Sequence, residues 1–284
     1  MSQTYRCMIV DVFTDRPLAG NQLAVFTNAT GMPDELMQSL AREIGFSETT
    51  FVLPAEKGVA DVLMRIFTPE RELPFAGHPT LGTAFVLAGP LQSTLLRIQT
   101  AAGVVPVLLE REGARVIFGS MQQPLPSIAP WSATGPLFEA LGVEASELPV
   151  ELYDNGVPHI LVALSSAEKV AAVSPDFAKL RTAAGEAGVS TFAVDGDRVK
   201  TRMFAPDMGV GEDAATGSAA GPLAVHLARH GLIGWGDEIV ISQGTEIGRP
   251  STLFARAEAD ADGAVTRVEV GGSAVVVARA EYQL

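Results

Sequence analysis

Cysteine is nearly absent from this chain: Cys7 is the only one in 284 residues. That excludes an internal disulfide, a cysteine cluster for zinc and a pair of catalytic thiols. Cys7 itself lies in the apolar run Cys7-Met8-Ile9-Val10, which reads as a buried strand. Basic runs are absent as well. The formal net charge is -13. Nucleic acids and anionic membranes both reward clustered Lys and Arg, so neither is an expected partner. No apolar run approaches membrane-spanning length. The segment Met1-Ser2-Gln3-Thr4-Tyr5-Arg6 has no signal-peptide core, which makes the cytoplasm the expected compartment. What is present is a chain 47% hydrophobic and 19% charged, long enough for one large domain or two of ordinary size.

The chain repeats itself. Arg65-Ile66-Phe67-Thr68-Pro69-Glu70 and Arg202-Met203-Phe204-Ala205-Pro206-Asp207 share the order Arg, apolar, Phe, small, Pro, acid. Downstream, His78-Pro79-Thr80-Leu81-Gly82-Thr83-Ala84 aligns with Asp213-Ala214-Ala215-Thr216-Gly217-Ser218-Ala219. Upstream, Thr50-Phe51-Val52-Leu53 echoes Thr191-Phe192-Ala193-Val194. The period is too long for a solenoid and indicates two similar halves. Leu36, Leu40 and Ile44, between Pro33 and Gly45, predict a helix with start and stop signals. Further helices are expected over Pro79–Leu87, with His78 near the N-cap, near 176–187, and from about Thr216 to His230. Strands are expected at 8–13, 23–27, 51–53, 62–67, 95–98, 104–109, 115–118, 161–164, 190–194, 199–204, 238–242, 253–258 and 266–277. Strands outnumber helices, and the fold class expected is α+β, two mostly antiparallel sheets each wrapped around a helix. The three prolines of Gln123–Pro130 mark a linker between halves at 1–122 and 131–277.

The loop Gly211-Glu212-Asp213-Ala214-Ala215-Thr216-Gly217-Ser218-Ala219 is the main chemical signal. As a nucleotide P-loop it fails: no lysine follows Gly217, and Glu212 and Asp213 would repel phosphate. Gly209-Val210-Gly211-Glu212-Asp213-Ala214 formally fits a dinucleotide motif, but the acidic pair would meet the pyrophosphate and the flanking strands look antiparallel. Ser218 is not in a nucleophile elbow, because position 216 is Thr. Small residues that simply let a helix pack closely are the plainer alternative. Against it stands the repetition of the turn. Two helix N-termini facing one another across a cleft would each offer free N–H groups to a carboxylate.

The sequence resembles the PhzF-like family, the phenazine-biosynthesis isomerases and relatives that share the diaminopimelate epimerase fold. The resemblance is carried in order by Asp11-Val12-Phe13-Thr14, Gly20–Val25, Glu43–Phe51, Arg65–Pro69, Phe75–Gly82, Gly211–Ala219 and Gln243–Pro250. It implies two pseudo-symmetric barrel-like halves, each around a central helix, with the active site between them. It also implies a C-terminal strand, about 278–284, that returns to the first half. No cofactor and no metal are expected, and a homodimer is. Relatives that racemise amino acids use two facing cysteines, which this chain lacks. Ala214 departs from the proline common in the family.

By the same resemblance Glu48 matches the catalytic acid–base residue. His78, Asp213 and Ser218 match polar residues lining the site. Ser47, Gly77, Thr216, Gly217 and Arg249 are the expected substrate-binding positions. Taken alone, Glu48 reads as a solvated loop carboxylate, Asp213 as an N-cap, and His78 as either an N-cap or a proton donor. Arg249 suits a substrate carboxylate or a neighbouring acid equally. His159 is assigned a structural role, and His226 and His230 sit where a helix C-terminus favours cations. The expected activity is a cofactor-independent isomerase moving a proton between carbons of a small unsaturated carboxylic acid. For phenazine-type members the resemblance implies trans-2,3-dihydro-3-hydroxyanthranilate. Alternatives are an epimerase with non-cysteine bases and a non-catalytic protein that binds a small ligand.

Overall fold

The computed structural model of the protein describes residues 4–284. The chain opens with β1 (Thr4–Val12), β2 (Asn21–Phe26), α1 (Asp34–Ile44), β3 (Glu48–Leu53), β4 (Val62–Phe67) and β5 (Glu72–Leu73). Helix α2 (Gly77–Leu91) follows, then β6 (Leu95–Thr100), β7 (Gly103–Glu112) and β8 (Arg115–Gln122). Next come β9 (Ser127–Pro130), α3 (Thr134–Leu141), β10 (Glu151–Asp154), β11 (Pro158–Ala163), α4 (Ala167–Ala172) and α5 (Phe177–Ala184). The remainder is β12 (Gly188–Asp195), β13 (Arg198–Ala205), β14 (Val210–Asp213), α6 (Gly217–Arg229), β15 (Glu238–Gln243), β16 (Ser251–Ala259), β17 (Val265–Gly272) and β18 (Ala274–Gln283).

The pairing is mostly antiparallel, with parallel contacts at equivalent places: β2 with β3 and β4 with β6, then β11 with β12 and β13 with β15. Strand β18 lies along the whole of β1, from Thr4 opposite Gln283 to Val12 opposite Ala274. The predicted strand at 266–277 is therefore two strands, split at Ser273, and β17 pairs with β8 while β18 turns back to β1. Ser127–Pro130, inside the proline-rich stretch, pairs with β10. Proline tolerates such an edge because its missing N–H faces away from the partner.

Helices α2 and α6 sit inside their sheets. Gly217 through Ala228 is buried all round, as befits an axial helix with no polar face. The others cover outer faces. Helix α1 lays Met37, Leu40 and Ala41 on Phe26, Phe51 and Phe67, and ends at Gly45 (φ 71°), whose N–H bonds the Ala41 carbonyl. Helices α3, α4 and α5 do the same over Ile160, Val162, Val189 and Phe204. Helices α3 and α4 have 8 and 6 residues, too short to show a full amphipathic period in the sequence.

Helix α2 starts two residues before the predicted Pro79, which places His78 in the first turn rather than at a cap. First-turn N–H groups have no intrahelical partner, so Pro79 costs nothing there. Pro222 lies deeper, inside α6, and its missing N–H frees the Ser218 carbonyl four residues before it. Asn155 Nδ2 donates to the Ser218 carbonyl at 2.9 Å and Gln123 Nε2 to the Gly217 carbonyl at 2.7 Å. At the other end of α6, Glu151 Oε2 accepts from Tyr153 (2.9 Å) and Arg229 (2.8 Å) and lies 3.1 Å from His226 Nδ1 and His230 Nε2. Burial pushes His226 down to about 4, so its ring is neutral, and Arg229 supplies a cation at this helix end.

Strand register relates the two parts of the chain differently from the sequence echo. Phe51 lies opposite Arg65, whereas Thr191 lies opposite Arg202. Phe51 therefore corresponds to Thr191, one residue away from the Phe192 it resembles. In a strand one residue changes the face, and Phe51 indeed packs under α1 while Phe192 packs in the interior core. By the same register Glu48 corresponds to Gly188, and Leu23 to His159.

Candidate active site

The first residues of α2 and α6 meet. A Cβ on Gly77 would stand 2.5 Å from Gly217 C and Ser218 N. Only glycine allows two helix N-termini to approach so closely. His78 and Ser218 thus hold equivalent places as the second residues of the two helices. The sequence alignment of His78 with Asp213 is offset, because His78 is inside its helix and Asp213 ends β14 before the other one. Strand alternation also separates the acidic pair of the loop. Glu212 turns to Arg202, which grips it at 2.8 and 2.7 Å while bonding the Ala171 and Val173 carbonyls. Asp213 turns inward.

A cavity of about 30 Å³ opens at this junction, lined among others by Glu48, His159, Asp213, Thr216 and Ser218. Glu48, the first residue of β3, has a side chain 14% exposed. Its Oε2 lies 3.3 Å from His78 Nε2. Burial pushes the Glu48 carboxyl well above the glutamate range, and the Asp213 charge adds to that, against one hydrogen bond from Ser47. Asp213 is raised less. Burial acts on it too, but Thr216, Asn21 and the Ala214 N–H all donate to its charged form. Thr216 Oγ1 donates to Asp213 Oδ2 at 2.6 Å and Asn21 Nδ2 to Oδ1 at 2.8 Å. His78 is pushed down to about 3 by burial, so its ring is neutral.

Four partners of this cavity were not among the predicted site residues. Asn21 links Ser47, which donates to its Oδ1 at 3.1 Å, with Asp213 and the Ala215 carbonyl. Gln243 accepts from the Thr216 N–H at 3.1 Å and donates to Thr216 Oγ1 and the Asp213 carbonyl, both at 2.9 Å. Met203, on β13, also lines the wall. His159, assigned a structural role from its turn-like setting, is fully buried with Nε2 3.0 Å from Ser218 Oγ. Asn21 and Gln243 stand in motif segments of the sequence, but nothing local to them indicates that their amides converge from β2 and β15. Met203 and His159 carry no local signal.

Arg249 is not brought to the inner cavity. It donates to Asp11 at 2.6 Å and to the carbonyls of Ala19 and Gly20 at 2.8 and 2.9 Å. It lines instead an adjoining outer cleft of about 270 Å³ with Ser47, Phe46 and Ile247; Val210 and Asp213 border both spaces. Among the described residues, no helix is long and apolar enough to cross a membrane.

Comparison with known proteins identifies the family and the fold. The family model described as phenazine biosynthesis-like protein matches residues 10–280. A trans-2,3-dihydro-3-hydroxyanthranilate isomerase of Pseudomonas fluorescens is 48% identical over 275 residues, covering 96% of this chain and 97% of that protein. The crystal structure of a phenazine biosynthesis protein of the PhzF family from Bacillus anthracis aligns with TM-score 0.85 at 26% identity, over 99% of this chain and 100% of its own. A hydroxyproline epimerase from Agrobacterium vitis shares the fold at TM-score 0.69 and 15% identity, over 100% of this chain and 92% of its own. The chain belongs to the phenazine biosynthesis-like family and is an isomerase with the diaminopimelate epimerase-like α+β fold.

Proposed function

We propose that the protein isomerises trans-2,3-dihydro-3-hydroxyanthranilate, or an acid very close to it, without a cofactor, by moving a proton between ring carbons on Glu48. The observation that carries this reading is the asymmetry of the cavity. Glu48 faces it from one half, and the equivalent position in the other half is Gly188, where a Cβ would collide with the Met203 side chain. A single carboxylate removes a proton and returns it on the same face, whereas two-base epimerisation needs a second base opposite.

In this mechanism the Glu48 carboxylate takes a proton from one carbon. The C–H electron pair forms a new double bond, the existing double bond shifts, and the protonated Glu48 returns the proton at its far end. Composition and charge are unchanged. The substrate carboxylate is held by the free N–H groups at Gly77, Gly217 and Ser218, where two helix dipoles add. His78, Asp213 and Thr216 bond the amino and hydroxyl substituents. Ser47 steadies Asn21 and the base. A cavity of about 30 Å³ holds water and not a ring, so the halves at 1–122 and 131–277 part to admit substrate through the outer cleft and close over it. We place the enzyme in the cytoplasm as a homodimer; the ten-residue β18, hydrogen-bonded only to β1 among the described residues, offers a strand edge for a second copy.

NMR of the reaction in D₂O, with wild type beside Glu48→Gln, tests this. Hydrogen at a new ring carbon with wild type, substrate-derived or deuterium according to how far Glu48 exchanges with solvent, and no turnover by the variant, is the expected outcome. Exchange confined to the original stereocentre would establish epimerisation instead. Binding without turnover by either protein would favour the ligand-binding alternative.

A further inference from the structure

We propose that His159 is a positioning residue for the substrate site: its Nε2–H donates to Ser218 Oγ and so commits the serine hydroxyl hydrogen to the carboxylate of the bound acid. This rests on the reading of the site as one that binds a small carboxylic acid.

The fold does not require a histidine here. Position 159 corresponds by register to Leu23 in the other half, an apolar core residue. A polar ring has therefore been placed in an apolar slot, with 0% of it exposed, and among the described residues its one polar contact is Ser218 Oγ at 3.0 Å. Its other nitrogen, Nδ1, is buried without a partner and faces Gly188, where an added Cβ would lie 3.3 Å away. Burial pushes the ring down to about 3, so it carries one proton at neutral pH.

That proton has two possible seats. On Nδ1 it would be an orphaned buried N–H, the rarest kind of unsatisfied group in proteins. On Nε2 it has Ser218 Oγ as acceptor, and Nδ1 keeps only an unused lone pair, the smaller penalty. The tautomer is therefore Nε2–H. The serine oxygen accepts from the ring, and its own hydrogen is left over. Among the described residues Ser218 Oγ has no other hydrogen-bond partner, and Ser218 lines the cavity. Its hydroxyl hydrogen is then left for a group in the cavity, beside the first-turn N–H groups of α6, and donors without an acceptor select an oxyanion. The same tautomer argues against His159 as a second base. Its lone pair faces Gly188 and not the cavity.

The pairs mirror each other. Glu48 beside His78 supplies the acid–base group on one wall, and His159 beside Ser218 supplies a fixed donor on the other.

The test begins with ¹⁵N-histidine NMR of the wild-type protein. A protonated Nε2 and a bare Nδ1 at His159, unchanged from pH 6 to 8, are expected. An Nδ1–H tautomer, or conversion to imidazolium in that range, would overturn the proposal, and neither result needs turnover. Kinetics follow with His159→Leu, which takes the residue of the equivalent position, and His159→Gln, which keeps an N–H near Nε2. Loss of a hydrogen bond to a charged group predicts KM raised about tenfold or more by Leu with kcat within about twofold, and recovery by Gln. Equal KM in wild type and His159→Leu sinks the idea. Should wild type not turn over the dihydro-hydroxyanthranilate, the substrate assignment fails while the NMR result still decides the tautomer.

Discussion

Glu48 Oε2 and His78 Nε2 face each other at 3.3 Å, both buried and neither in a well-aligned hydrogen bond. The surrounding network determines what lies between them. Asn21 Nδ2 has two hydrogens, and they go to Asp213 Oδ1 at 2.8 Å and the Ala215 carbonyl at 2.9 Å. The 3.2 Å contact from that amide to His78 Nδ1 is left without a proton from Asn21. Burial lowers His78, against one hydrogen bond with the Gln22 backbone. Burial keeps the His78 ring neutral while it raises the Glu48 carboxyl, which favours the proton between them on Glu48. The arrangement sets a carboxyl that keeps its proton to unusually high pH against a neutral histidine.

Turnover should therefore rise with pH. Glu48 has to lose that proton before it takes another, and its carboxyl is raised above the ordinary range. A kcat/KM profile that climbs through neutrality is expected. A flat profile down to the ordinary carboxylate range would show that Glu48 is not held protonated.

Asp213→Asn should move that inflection to lower pH. The Asp213 charge is the second cause of the raised Glu48 value, after burial, and Asn removes the charge while keeping an acceptor for Thr216. The inflection, and not the rate, is the measurement. An unmoved inflection would leave burial as the whole cause.

Stability should run against activity in pH. The folded protein binds a proton at Glu48 that the unfolded chain has already released, so its contribution is fully present below the unfolded pKa and is lost as pH rises through the folded one. Urea unfolding of wild type and Glu48→Gln across that window checks the sign. The wild type should lose stability relative to the variant as pH rises.

Glu151 should behave oppositely. Burial raises it, but hydrogen bonds from His230, Tyr153 and Arg229 outweigh burial and bring it down to about 2. Its contribution is present above the unfolded glutamate pKa and lost as pH falls toward the folded value. Glu151→Gln should lower Tm at pH 7 and have little effect near pH 2, with kcat unchanged because the cluster lies at the far end of α6.

Gly77→Ala should cost at least ~2 kcal/mol of stability and most of the activity, since its Cβ meets backbone and not a movable side chain. Gly89→Ala, with open space around it on the same helix, is the control and should be neutral or slightly stabilising. Equal effects of the two would mean that the helix junction yields.

Much of this molecule is determined by local sequence. Pro33, the spacing of Leu36, Leu40 and Ile44, and Gly45 specify α1, because start, face and stop all act within one helix. The Arg-x-Phe strands, the Gly77 and Gly217 turns and the position of Glu48 before an apolar strand are likewise readable, since each is a short contiguous pattern. Tertiary structure alone decided the rest. Phe51 and Phe192 look equivalent and lie on different faces, because pairing with Arg65 and Arg202 sets the register. Glu212 and Asp213 look like one acidic pair and serve two purposes, because a strand turns neighbours opposite ways. Arg249 becomes a brace once Asp11 lies beside it. His159 joins the site only when β11 is laid against Gly188 and α6 brings Ser218 to its ring. A residue's type is local, but the group it faces depends on which strands pair and in which register.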